Sequence, residues 1–239
     1  ALLGLWYEDK GDETRAFGCY SKALLLDPVH PVAGRGIIRI KPFSDIQNQI
    51  DAAVNTISPS NGWAWSALGT KKAMIDSEDN LAAICFQEAI RCRDISDPQS
   101  LSLHFFFSKP KHSKGTGSEL AHVWSELGSC YRRLGKYTAA VRAFRAGYDA
   151  STENFPPGTL CSWAEVELEL GLFDTAAEKF GIALQQSQHE SDSEMVLIAA
   201  FGQGRALLAM ASGDVQDGKA GAAYGRLTTA IDGIKTTLI

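Results

Sequence analysis

The chain has 239 residues, of which 45% are hydrophobic and 21% charged, with a formal net charge of −5 and a pI of about 5.6. This acidic balance argues against a nucleic-acid-binding surface. The sequence contains no run of 18 apolar residues, so it predicts no membrane span. Five cysteines without a C-x-x-C pair indicate buried free thiols in a reducing compartment rather than a disulfide framework.

The first thirty residues predict two helices joined by a turn at Gly11. Small and apolar residues recur through both at helical spacing. Asp27-Pro28 ends the second helix, because proline disfavours a helical conformation in the residue before it. The chain starts within the first helical pattern, so we expect a fragment of a longer protein.

Residues 31–61 predict a degenerate helix pair. Residues 33–40 form a short helical pattern, and Pro42 breaks it. Ser44 is predicted to cap a second helix that runs through Ile57. The buried face of that helix is predicted to consist of Ile46, Ile50, Ala53, Val54 and Ile57.

Residues 62–94 predict a regular pair again, with Trp65 and Gly69 in its first helix and Phe86 in its second. The segment 95–119 then fits no helix pair and is predicted to be a loop between units. Its apolar stretch, 101–107, either packs back on the helices or serves as a docking segment. We favour packing or plain disorder, because loops this long seldom have one assigned role.

Residues 120–149 carry the clearest pattern in the chain. Its marks are Trp124, Leu127, Gly128, Tyr131, Gly135, Tyr137, Ala140 and Phe144. Gly135 is predicted to end the first helix in a left-handed conformation, and Trp124 is predicted to be buried. A further pair follows Pro157, in which Glu167 replaces a tyrosine of the pattern. The last pair is predicted at 195–211 and 218–234, with a long turn between.

These offsets are those of the tetratricopeptide repeat (TPR), a helix-turn-helix unit of about 34 residues. The predicted fold is all-α, a right-handed superhelical solenoid of antiparallel helix pairs. We expect about six units, one of them degenerate, because consecutive units bury a continuous core between them. The chain is expected to form a single array over residues 1–239.

The sequence contains no recognisable catalytic or metal-binding motif, so it predicts no enzyme, cofactor or metal site. The candidate surface is the concave face formed by the first helices of the units. Its candidate partner-binding residues are His122, Ser125, Ser129, Arg132, Arg133, Glu165 and Glu169. The two arginines either bind an acidic peptide or pair with Glu165 and Glu169 of the next unit, and we favour the pairing. The serines stand where chaperone-binding units carry basic residues, which argues against a chaperone cofactor.

The succession of units resembles the large TPR subunits of superkiller complexes. The resemblance rests on 63–65, 124–128, 135–140, 171–173, 202–204 and 217–220. It implies a cytoplasmic scaffold, with a nuclear pool allowed, that holds an RNA helicase and WD-repeat subunits in exosome-dependent 3′-to-5′ mRNA decay. It implies at most indirect RNA contact, no membrane and no small-molecule substrate. The alternatives are a generic TPR peptide-binding adaptor and an array appended to an enzyme.

Overall fold

The structure, a computed structural model, describes residues 1–58, 60–92, 119–151, 155–190 and 192–237. Within these ranges the chain forms twelve α-helices and no strand. The helices are α1 (Leu2–Asp9), α2 (Glu13–Leu26), α3 (Pro31–Ile40), α4 (Phe43–Val54), α5 (Gly62–Met74), α6 (Asp79–Arg91), α7 (Glu119–Arg133), α8 (Tyr137–Ala150), α9 (Pro157–Glu169), α10 (Phe173–Glu190), α11 (Ser193–Gln216) and α12 (Ala220–Thr237). The predicted loop at 95–119 lies outside the described residues, apart from the start of α7.

The helices pack as a two-layer array. Each helix packs against the next along the chain, most weakly where α3 meets α4. The odd-numbered helices also contact one another in series, from α1 through to α11. Even-numbered helices make no comparable serial contacts among the described residues. The odd-numbered helices therefore form the inner layer of the array, and the predicted all-α repeat fold is confirmed.

A left-handed residue closes the turn after most of the odd-numbered helices. Gly11, Gly135, Gly171 and Gly218 have φ between +69° and +76°. The prediction for Gly135 is confirmed, since its φ is +69°. Glycine takes this conformation without a steric penalty, which lets each helix end and reverse within a few residues.

Serine occupies this left-handed position in the turn between α5 and α6. Ser77 has a φ of +55° and is the one non-glycine with positive φ among the described residues. We expect Ser77→Gly to raise the free energy of unfolding by about 0.5–1 kcal/mol, because the left-handed conformation is unfavourable for residues with a Cβ. Urea denaturation measures this gain. Ser151→Gly is the matched control, because Ser151 has a φ of −72° and should gain nothing.

Aromatic rings fill the spaces that small residues leave between paired helices. A Cβ at Gly128 would lie 2.8 Å from the Phe144 ring, so the absence of that atom lets α8 approach α7. A Cβ at Gly4 or at Gly36 would overlap the ring of Tyr20, which is fully buried between α1 and α3. Close packing of rings on backbone thus joins each unit internally and to its neighbour.

The pair α3 and α4 departs from the repeat, as its degenerate sequence predicts, but two details of the prediction are wrong. The residue before α4 is Pro42, and Ser44 lies inside the helix, where its hydroxyl donates to Asp45 at 3.0 Å. Helix α4 ends at Val54, so Ile57 lies beyond it and is fully exposed. The buried Asn61 amide donates to the carbonyl oxygens of Ala53 and Thr56, which stabilises this earlier end.

Helix α11 is longer than its sequence predicts. The Ser-Gly-Asp stretch that opens the predicted turn at 212–218 stays helical, and α11 continues to Gln216. Asp214 is buried and binds Arg226 of α12, with 2.7 Å between the Arg226 Nε and the carboxylate. This pair ties the last turn of α11 to its partner helix and outweighs the local turn preference.

Helix α11 also has the length and composition of a membrane span, with a mean hydropathy of 1.4 over its most apolar window. That is weak evidence, because length and composition alone do not distinguish a membrane span from a helix packed in a globular protein. Helix α11 carries Arg205 and Asp214 and packs on α9, α10 and α12. Its packing makes it an element of the array.

Candidate partner-binding surface

Two hollows lie along the inner layer of odd-numbered helices. Hollow one, about 330 Å³, lies between α3, α5 and α7, and its lining includes Arg35, Ile38, Arg39, Trp63, Thr70 and His122. Hollow two, about 180 Å³, lies between α7, α9 and α11, and its lining includes Arg132, Arg133, Tyr137, Glu165, Glu169 and Arg205. Both open on the face that the repeat pattern predicts to be concave.

Hollow two contains four of the seven candidate residues. Arg132 pairs with Glu165 across α7 and α9, with 2.6 Å between guanidinium and carboxylate, which confirms that pairing. Arg133 turns the other way and binds Asp79 at the start of α6, at 2.7–2.8 Å. Its predicted pairing with the next unit is wrong, because Asp79 of the preceding unit lies within reach. The hydrogen bond to Asp79 is the main cause that raises the pKa of Arg133.

Two exposed charges remain in hollow two. Glu169 of α9 and Arg205 of α11 both line it, and neither forms an ion pair within the described ranges of the chain. Hollow two therefore offers one carboxylate and one guanidinium beside the Arg132–Glu165 pair. A partner with charges of both signs would find a counterpart for each.

The remaining candidates, His122, Ser125 and Ser129, differ in how exposed their side chains are. Ser125 is only 6% exposed, and its hydroxyl donates to the carbonyl oxygen of Ala121 at 2.8 Å. The half-buried Ser129 donates to the carbonyl oxygen of Ser125 at 3.1 Å. His122 is exposed and lines hollow one. The two serines thus bond within their own helix, and their role in binding stays a prediction.

Of the residues that line hollow one, the sequence patterns singled out only His122. Arg35 and Arg39 belong to the degenerate unit, where no repeat offset assigns them to the inner face. Their spacing of four residues on one short helix is the only signal that could have paired them. Arg39 binds Glu8 of α1 at 2.9 and 3.1 Å, and Glu8 also accepts a hydrogen bond from Tyr20. Burial, and then this hydrogen bond, raises the pKa of Tyr20.

The cysteines are free, and four of the five are buried, as the sequence predicts. Burial is the main cause that raises the pKa of Cys130 to about 12 and that of Cys161 to about 11. Thiols with such pKa values are poor nucleophiles at neutral pH. Among the described residues, no group of three or more His, Cys, Asp and Glu side chains could hold a metal ion.

Comparisons with known proteins agree with this architecture. The tetratricopeptide repeat family profile matches residues 121–154, which include α8 and all of α7 except its first two residues. Superkiller complex protein 3 from Homo sapiens is 24% identical over 227 residues, covering 91% of this chain. The chain spans 12% of the length of that relative.

Two solved structures of another protein are similar to the chain. The crystal structure of MamA has a TM-score of 0.47 and 22% identity, covering 79% of this chain and 96% of the MamA chain. A second crystal structure of the MamA protein has a TM-score of 0.45 and 22% identity, covering 79% of this chain and 90% of that MamA chain. The repeat offsets, the array of helix pairs and the match at 121–154 show a tetratricopeptide-repeat fold, and the chain resembles Superkiller complex protein 3.

Proposed function

We propose that this chain belongs to the non-catalytic scaffold of a superkiller complex. In that role it supports an RNA helicase and WD-repeat subunits in exosome-dependent 3′-to-5′ decay of cytoplasmic mRNA. The observation that carries the proposal is the similarity to Superkiller complex protein 3 over 91% of the chain. The acidic net charge of −5 favours protein partners over direct contact with RNA.

A TPR array suits a scaffold because of how it is built. Each unit contacts only its neighbours, so the array presents an extended inner face rather than a closed active site. The two hollows divide that face into separate docking positions with different side chains. Such a surface can hold more than one partner segment at once, and avidity between them strengthens assembly.

Affinity purification of the protein that carries this chain, from its own cells, tests the proposal. We expect an RNA helicase and a WD-repeat protein to co-purify in comparable amounts, identified by mass spectrometry. Recovery of a different stable partner set, with neither of these present, would sink the superkiller assignment. It would leave the TPR adaptor role in place.

A generic peptide-binding adaptor of another complex is the second candidate function. Hollow one favours it, because an apolar hollow with arginines at its margin can hold a peptide without a larger assembly. Measured affinity of the purified chain for isolated peptides, together with a partner set that lacks a helicase, would select this candidate.

A further inference from the structure

Hollow one is built by three successive units of the inner layer. Arg35, Ile38 and Arg39 come from α3, Trp63 and Thr70 from α5, and His122 from α7. Its volume of about 330 Å³ is at the lower end of the range for ligand pockets in proteins. It therefore has room for one or two side chains of a bound segment.

The inner part of hollow one is apolar. Ile38 and Trp63 line it together with Phe43, Ala67 and Val123. Trp63 is only 3% exposed, and a Cβ at Gly34 would overlap its ring, so the indole lies directly on the backbone of α3. Its N–H has no hydrogen-bond partner within the described part of the chain. A fixed apolar wall of this kind fits a bulky apolar side chain and costs little reorganisation on binding.

Among the described residues that line hollow one, those that carry a charge are both arginines. Arg35 and Arg39 line it with His122, and none of the described residues that line it is acidic, in a chain whose net charge is −5. Arg39 also forms an ion pair with Glu8, which is not among the residues that line hollow one. The side chains of Arg39 and Glu8 are 41% and 28% exposed. A guanidinium has five N–H donors, so Arg39 can donate to an incoming carboxylate as well as to Glu8.

We propose that hollow one binds a short segment of a partner protein in which a bulky apolar side chain stands next to carboxylates. The apolar side chain lies against Ile38 and Trp63, and the carboxylates accept hydrogen bonds from Arg35 and Arg39. This inference rests on the proposed scaffold function and names the chemistry of one of its docking positions. It differs from the sequence-based expectation, which placed an acidic peptide at Arg132 and Arg133.

A peptide array tests the proposal with the purified chain. Each array peptide has a central phenylalanine, leucine or serine, and its flanking positions are varied over all amino acids. We expect retention to require the apolar centre and to favour Asp and Glu beside it. The best peptide is then measured by fluorescence anisotropy, where Arg35→Glu should weaken binding about tenfold or more, because a like charge replaces the attraction. Ser66→Trp, which fills hollow one from α5, should abolish binding.

Arg145→Glu is the matched control, because Arg145 is exposed on α8, outside the inner layer. It makes the same change of charge and should leave the peptide affinity unchanged. Circular dichroism and thermal denaturation confirm that each variant is folded before binding is compared. An array without acidic preference, or a preference that survives in Arg35→Glu, overturns the proposal.

Two outcomes separate this inference from its alternatives. Binding that appears only after 101–107 is replaced by glycine and serine would assign hollow one to the chain's own segment, and would overturn the proposal. Acidic peptides that bind a chain which recovers no helicase from cells would sustain the inference while the superkiller assignment fails. Co-purification of the helicase, together with a peptide array that shows no preference, would support the superkiller assignment and overturn this inference.

Discussion

Replacing Phe180 by alanine should lower the free energy of unfolding by about 3–5 kcal/mol, among the largest losses expected in the chain. Phe180 is 1% exposed, and its ring fills the space between α10 and α11. A Cβ at Gly202 of α11 would overlap that ring, so the ring lies directly on the α11 backbone. Helix backbone cannot move in to fill the vacated volume as a flexible side chain would. The cavity should therefore persist, and its cost adds to the lost burial.

Urea denaturation followed by circular dichroism measures this loss. Phe201→Ala is the matched control: Phe201 lies one residue from Gly202, but its side chain is 49% exposed. It removes the same atoms from a partly solvated position and should cost about 1 kcal/mol or less. Similar losses at both positions would contradict the packing described for Phe180.

The repeat offsets predicted the helix pairs because a few positions determine the packing. Gly128 and Phe144 are 16 residues apart, and that spacing brings a small residue and a ring together whenever two helices reverse at a left-handed glycine. The offsets do not say which aromatic ring is most buried. Trp124, which matches the pattern, is half-buried, whereas Trp63, two residues before the matching tryptophan, is 3% exposed. Burial depends on the neighbouring units, which spacing within one unit does not specify.

The candidate site was predictable only where partners lie at repeat distance. Arg132 and Glu165 occupy facing positions of adjacent units, so the offsets alone brought them together. The partner of Arg133 is Asp79, 54 residues earlier, across the segment that fits no repeat. Hollow one involves the degenerate unit, whose helices α3 and α4 hardly touch, so no offset could place Arg35 in it. Sequence reasoning thus found the inner face but, in hollow one, only His122.

A buried ion pair explains why Glu167 can stand where the repeat usually has a tyrosine. The Lys179 ammonium lies 2.9 Å from each oxygen of the Glu167 carboxylate, and 4.3 Å from the centroid of the Trp163 ring. The side chains of Lys179 and Glu167 are 15% and 4% exposed. The cation is thus held between a carboxylate and an aromatic face, both of which stabilise it away from water.

Lys179→Met should therefore lower the free energy of unfolding by about 3–5 kcal/mol, because it leaves the Glu167 carboxylate buried without a cation. The double variant Glu167→Tyr/Lys179→Met restores the usual tyrosine, and should recover most of the loss, since a buried pair can be replaced by apolar groups at little cost. Urea denaturation of both variants measures this coupling. Lys219→Met is the control, because its pair with Asp217 is 63% exposed on each side and should contribute about 1 kcal/mol or less. A double variant no more stable than Lys179→Met alone would show that the ion pair does not compensate for the missing tyrosine.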